Sequence, residues 1–112
     1  RQPRTYSKSL DNIVQDLKKS GAKLVFAMTT PPCAGTEKNA GIKVSKARAK
    51  QFNQAALRVM KKHGVVVNDL YALIENERER YQLGENDVHY NEAGRNLLAA
   101  KVATFIKEQI SQ

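Results

Sequence analysis

The chain has 112 residues, room for one small domain and not two. Its formal charge is +8, and its single cysteine, Cys33, excludes an internal disulfide and any metal site built on cysteine pairs. No apolar run approaches the ~18–20 residues that cross a bilayer, so no membrane span is expected. Arg1-Gln2-Pro3-Arg4 leads into polar residues rather than the apolar stretch of a secretory leader, although the mature form of a secreted protein reads the same way.

The first predicted element is a helix from about Tyr6 to Lys19. Tyr6, Leu10, Ile13, Val14 and Leu17 recur at helical spacing, and Gly21 is a natural stop. Lys23 to Thr30 reads as a strand whose apolar core does not alternate with polar residues, the pattern of a strand covered on both faces in a parallel sheet. Pro31-Pro32 ends it. Cys33 to Lys43 is a loop, long for an α/β connection. A helix capped by Ser45 runs to about Lys62, with Phe52, Ala55, Ala56, Val59 and Met60 as its buried stripe. Gly64 ends it, and Val65 to Leu70 gives a second buried strand. Tyr71 to Leu83 reads as a short polar helix. A polar segment, Asn86-Asp87-Val88-His89-Tyr90-Asn91-Glu92-Ala93-Gly94, precedes a closing apolar helix, Leu97 to Ile110.

Charge is uneven. No Asp or Glu lies between Lys38 and Asn68, a stretch that holds Lys38, Lys43, Lys46, Arg48, Lys50, Arg58, Lys61 and Lys62. Such a face attracts anionic partners, and a solvated helix face explains it equally well. It lacks the interleaved aromatics of single-strand binders and matches no helix-turn-helix or RNA-binding signature, so no nucleic-acid partner is expected.

Strands alternating with helices argue for an α/β layered fold with a parallel sheet. Two strands make a poor sheet, and both read as needing further strand neighbours. The chain is therefore expected to be a single partial domain, residues 1–112, the C-terminal part of a larger α/β unit. Active sites of open parallel sheets lie at the carboxyl ends of the strands. Thr29 to Pro32 and Asn68 to Tyr71 lie at that edge, and so does the His89 segment if it returns over it. His89, with Asp87 two residues before it, is then a candidate general base.

Leu24 to Pro32, Val65 to Tyr71, the D-V-H-Y-N-E-A-G stretch from Asp87 to Gly94 and the closing helix together resemble the C-terminal half of an SGNH (GDSL-type) hydrolase. The resemblance implies a flavodoxin-like three-layer α/β/α domain, two of whose strands this chain contributes. It implies a serine esterase working without metal or cofactor. In that family the nucleophilic serine, and the glycine and asparagine that help build the oxyanion hole, lie in earlier blocks. None of those blocks is found here; Ser7, Ser9, Ser20, Ser45 and Ser111 match none of them. The chain carries the last block, with His89 in the base position. Its expected partner is the N-terminal half of the same domain, on a separate or preceding segment, and the chain alone is expected to be inactive.

A serine hydroxyl is a weak nucleophile until a base takes its proton, and imidazole suits that work near neutral pH. A carboxylate on the other ring nitrogen fixes the tautomer. The family's usual acid position, three residues before the histidine, is Asn86 here, and the acid is Asp87. Asn86, a backbone carbonyl and Asp69 remain alternatives for orienting the ring. By the same resemblance the substrate is a carboxylic ester such as an acetylated carbohydrate, and a secreted or periplasmic location is favoured. Two other readings stay open: a non-catalytic module binding an anionic partner through the basic 38–62 face, and a degenerate relative.

The remaining reactive residues have plainer explanations. His63 sits at a helix C-terminus, where positive charge suits the dipole. Cys33 reads as an idle thiol. Glu75, Glu77 and Glu79 are two apart and do not share a helix face. Thr30 and Pro31 border the strand edge, which strand termination also explains.

Overall fold

A computed structural model of the chain describes residues 2–31, 46–83 and 89–111. The described elements are α1 (Pro3–Lys18), β1 (Val25–Ala27), α2 (Lys46–His63), β2 (Val66–Asn68), α3 (Leu70–Glu75), α4 (Arg78–Tyr81) and α5 (Glu92–Ile110). The expected alternation of helix and strand is present, as is the parallel pairing: Val25 faces Val66, Phe26 faces Val67 and Ala27 faces Asn68. Met28 extends the ladder by donating its N–H to the Asn68 carbonyl at 3.0 Å. The strands are shorter than the apolar runs that encode them, because the ladder ends where the chain turns away at Thr29 and Asp69.

α1 starts three residues before its apolar stripe. Pro3 occupies its first turn, where the missing N–H would have had no helical partner anyway. α1 and α2 run side by side in the same direction: Tyr6 meets the edge of Phe52 at 5.1 Å between ring centres, and Lys18 donates to the His63 carbonyl. Ala55 and Ala56 are fully buried, and their small size lets the neighbouring elements approach α2 closely. Val14, Val59 and Met60 form the core, and Leu10, Leu24, Phe26, Val65 and Val67 pack against it.

The sheet corrects one expectation. β1 is not covered on both faces: Phe26 is half-buried beneath α1 and α2, while Val25 and Ala27 are exposed. On that second face Val25 shares an open cavity of about 280 Å³ with Ile106 and Ile110 of α5. Lys23 ties the layers together by donating to the Gln109 carbonyl at 3.0 Å. Helices therefore flank both faces of the sheet, and the α5 side is the looser one.

Two helix boundaries also differ from the sequence expectation. The segment from Tyr71 to Leu83 is two short helices, broken at Asn76 and Glu77. The break lets Tyr71 and Ile74 stay buried while Tyr81 turns toward the last helix. The last helix begins at Glu92 rather than Leu97. Asn91 caps it by accepting the Gly94 N–H at 2.8 Å, and Glu92 places negative charge in the first turn. The loop from Cys33 to Lys43, Ser45, Asn86 and Asp87 lie outside the described residues.

Candidate functional site

The carboxyl ends of β1 and β2 carry the polar side chains that hold this region together. Asn53, a buried amide in the apolar stripe of α2, brackets Thr29: its Nδ2 donates to the Thr29 carbonyl at 2.9 Å, and its Oδ1 accepts the Thr29 N–H at 3.2 Å. Both backbone groups of the residue leaving β1 are thereby satisfied away from the ladder. Two residues on, the carbonyl of buried Pro31 accepts from Gln82 Nε2 at 2.9 Å and from the Tyr90 hydroxyl at 3.5 Å.

Gln82 and Tyr90 also face each other in an isolated antiparallel bridge. The Leu83 N–H donates to the His89 carbonyl at 3.1 Å, and the Asn91 N–H donates to the Tyr81 carbonyl at 2.8 Å. The backbone from the His89 carbonyl to Asn91 is thus pinned to the end of α4. Asn91 adds a side-chain bond from Nδ2 to the Arg80 carbonyl, and Arg95 Nη1 donates to the Tyr90 carbonyl. Gly94 lies against Tyr81 with no room for a side chain: a Cβ there would stand 2.7 Å from the Tyr81 carbonyl oxygen. Tyr90, next in sequence to His89, reaches the Pro31 carbonyl beyond the end of β1, and His89 itself is solvent-exposed.

Of the alternatives for orienting His89, Asp69 is already engaged. It caps α3, its Oδ1 accepting the Ala72 N–H at 2.9 Å. Ser20 and Ser111 donate to carbonyls of their own helix ends, and Ser7 and Ser9 lie within α1. His63 is structural: it pairs with Asp11 of α1, as does Lys62. Hydrogen bonds from His63, and then from Lys62, hold the Asp11 carboxyl below the usual carboxylate range. Glu75 pairs with Lys50 at 3.6 Å. Among the described residues no three His, Cys, Asp or Glu side chains gather as a metal site, and no helix is long and apolar enough to cross a membrane.

Among the described residues the basic stretch does not form one free face. Lys50 and Lys62 are in ion pairs, and the Arg48 guanidinium lies 5.0 Å from the centre of the Phe52 ring. Sequence reasoning overlooked Asn53, Gln82 and Asn91. Asn53 had a signal, an amide inside an apolar helical stripe. Asn91 had one too, a capping residue followed by an acid. Gln82 had none, because its partner is a backbone carbonyl 51 residues away.

Residues 1–97 match the model of the GDSL-like lipase/acylhydrolase family. A lipase/acylhydrolase from Enterococcus faecalis superposes with a TM-score of 0.78 at 19% identity, over 96% of this chain and 53% of that one. The esterase domain of the ORF1 protein from the zebrafish ZfL2-1 retrotransposon gives 0.72 at 15% identity, over 96% of this chain and 61% of that one. An alpha/beta hydrolase enzyme from the metagenome of Lake Arreo, Spain, gives 0.69 at 21% identity, over 93% of this chain and 47% of that one. At such identities these likenesses speak to the fold. The chain spans about half the length of the solved structures it matches. No curated protein sequence is significantly similar to it.

Proposed function

The chain belongs to the GDSL-like lipase/acylhydrolase family, and from that premise we propose that it supplies the histidine half of a serine carboxylic-ester hydrolase. A preceding segment of the same domain, in a flavodoxin-like arrangement, provides the serine. The observation that carries the reading is the clamp at the strand edge. Gln82 and Tyr90 both bind the Pro31 carbonyl, and the bridge between them lies next in sequence to His89, which supports its assignment to the carboxyl edge of the sheet.

In this mechanism the serine hydroxyl attacks the ester carbonyl while His89 takes its proton. The resulting imidazolium gives that proton to the leaving alcohol, which leaves an acyl-enzyme. Water then attacks the acyl-enzyme, again losing its proton to His89, which returns it to the serine as the acid departs. Asp87 is the proposed partner of the second ring nitrogen. The proposed substrate is an O-acetylated carbohydrate, a choice that rests on family analogy.

The test joins the chain to its preceding segment, as a fusion or as a mixture, and follows hydrolysis of an aryl acetate. Activity should appear only with both parts. His89→Ala should lower it by about 10²–10⁴-fold, the usual contribution of a positioned acid–base group. Activity that survives this change would remove His89 from the mechanism.

A further inference from the structure

Four cations converge on one place, three of them outside any ion pair among the described residues. Arg4 and Lys8 lie one turn apart on α1, and Arg58 and Lys62 lie one turn apart on α2. All four line a single open groove of about 400 Å³ between the two helices, floored in part by Ser7 and Val59. The acid on its wall, Asp11, is already engaged by His63 and Lys62. Arg4, Lys8 and Arg58 have no ion-pair partner among the described residues. Spacing of four residues on each helix sets two rows of charge, with Cβ atoms about 5–6 Å apart along each row. Like charges gathered around one concavity repel each other, and Arg4, Lys8 and Arg58 make no ion pair across the contact between α1 and α2. A bound polyanion would relieve that repulsion.

We propose that this groove binds a segment of acidic polysaccharide, with sugar carboxylates between the two cation rows. The shape and lining favour that occupant. The groove is shallow and open and lies between two helices, whereas duplex nucleic acid is read by an element that protrudes into its own groove. No aromatic ring lines it among the described residues, whereas single-stranded nucleic acid binds by stacking bases on such rings. Carboxylates on a glycan need only charge-assisted hydrogen bonds from Arg and Lys, which this groove supplies. The site shares no residue with the His89 loop, and it stands whether or not His89 acts as a base.

The experiment measures fluorescence anisotropy of a labelled oligogalacturonate with the chain at about 50 mM and about 200 mM salt. The expected result is saturable binding that weakens steeply with salt. Lys8→Gln combined with Arg58→Gln should weaken it by about tenfold or more, and Arg58→Lys, which keeps the charge but loses the guanidinium fork, should weaken it less. Lys101→Gln combined with Lys107→Gln removes the same charge from exposed positions of α5 and should change binding by less than about twofold. Thermal melts of each variant confirm the fold. Equal weakening by both pairs would show a response to net charge alone and overturn the site. Tighter binding of a single-stranded oligonucleotide of equal charge, or no binding at low salt, would overturn it as well.

Discussion

Gly94 shows how a single residue fixes the position of the His89 loop. Replacing a helical glycine with alanine ordinarily gains up to about 1 kcal/mol from helix propensity. Here the new Cβ would stand 2.7 Å from the Tyr81 carbonyl oxygen and 2.9 Å from the Tyr81 Cβ. The first of these is backbone, which cannot swing aside, so overpacking of about 1–3 kcal/mol wins. Gly94→Ala should therefore lower the urea midpoint despite its better propensity. A midpoint equal to or above that of the parent would mean α4 and α5 are not in this contact. Gly64 makes the contrast: it has φ of 66°, and a Cβ there would meet nothing within 4 Å, so its constraint is backbone conformation alone. At this scale the sequence was partly legible. His89 and Gly94 stood out through their spacing before an apolar run. Gln82 did not, because a glutamine that binds a distant carbonyl looks like any other polar helix residue.

Between elements, the α1–α2 interface has a titratable component. His63 and Lys62 hold the Asp11 carboxyl below its ordinary value. A carboxylate depressed in the folded state contributes stability that is fully present above the unfolded value of about 3.9. That contribution is lost as pH falls through the lower folded value. Asp11→Asn should thus melt at a lower temperature than the parent near neutral pH, and the gap should close as the medium is acidified below about pH 4. Melts across that range decide the point; a gap that stays constant into strong acid would show that the pairing contributes nothing. The two long helices were legible because each carries an apolar stripe over several turns. The break between α3 and α4 was not, since it answers to where Tyr81 must meet Gly94. The start of α5 was hidden for a related reason: its first turn carries no large apolar side chain and is fixed by the Asn91 cap and by Gly94 packed against Tyr81.

For the whole molecule, the informative feature is the exposed outer face of β1, on a sheet that has two strands among the described residues. The apolar strand residues correctly signalled a parallel sheet, yet Val25 is 37% exposed and Ile110 is 76% exposed. Their coverage is a matter of which other chain segments pack there, and no local pattern encodes that. The pairing makes the point testable residue by residue. Met28 donates to β2, and successive strand residues point their N–H groups to opposite sides. Phe26 and Met28 therefore face β2, while the N–H groups of Val25 and Ala27 face the other edge of β1. In the chain by itself, amide exchange should be slowed at Phe26 and Met28 and fast at Val25 and Ala27. If the preceding segment adds a parallel strand to that edge, as the proposed division of the domain requires, its addition should bring protection to Val25 and Ala27 together. Esterase activity should rise over the same titration, because a serine held on that side of the sheet can meet His89 only when the strand is in place. Activity without protection at Val25 and Ala27 would mean that the two parts meet through another surface. Protection without activity would leave the assembled fold standing and place the fault in the His89 loop.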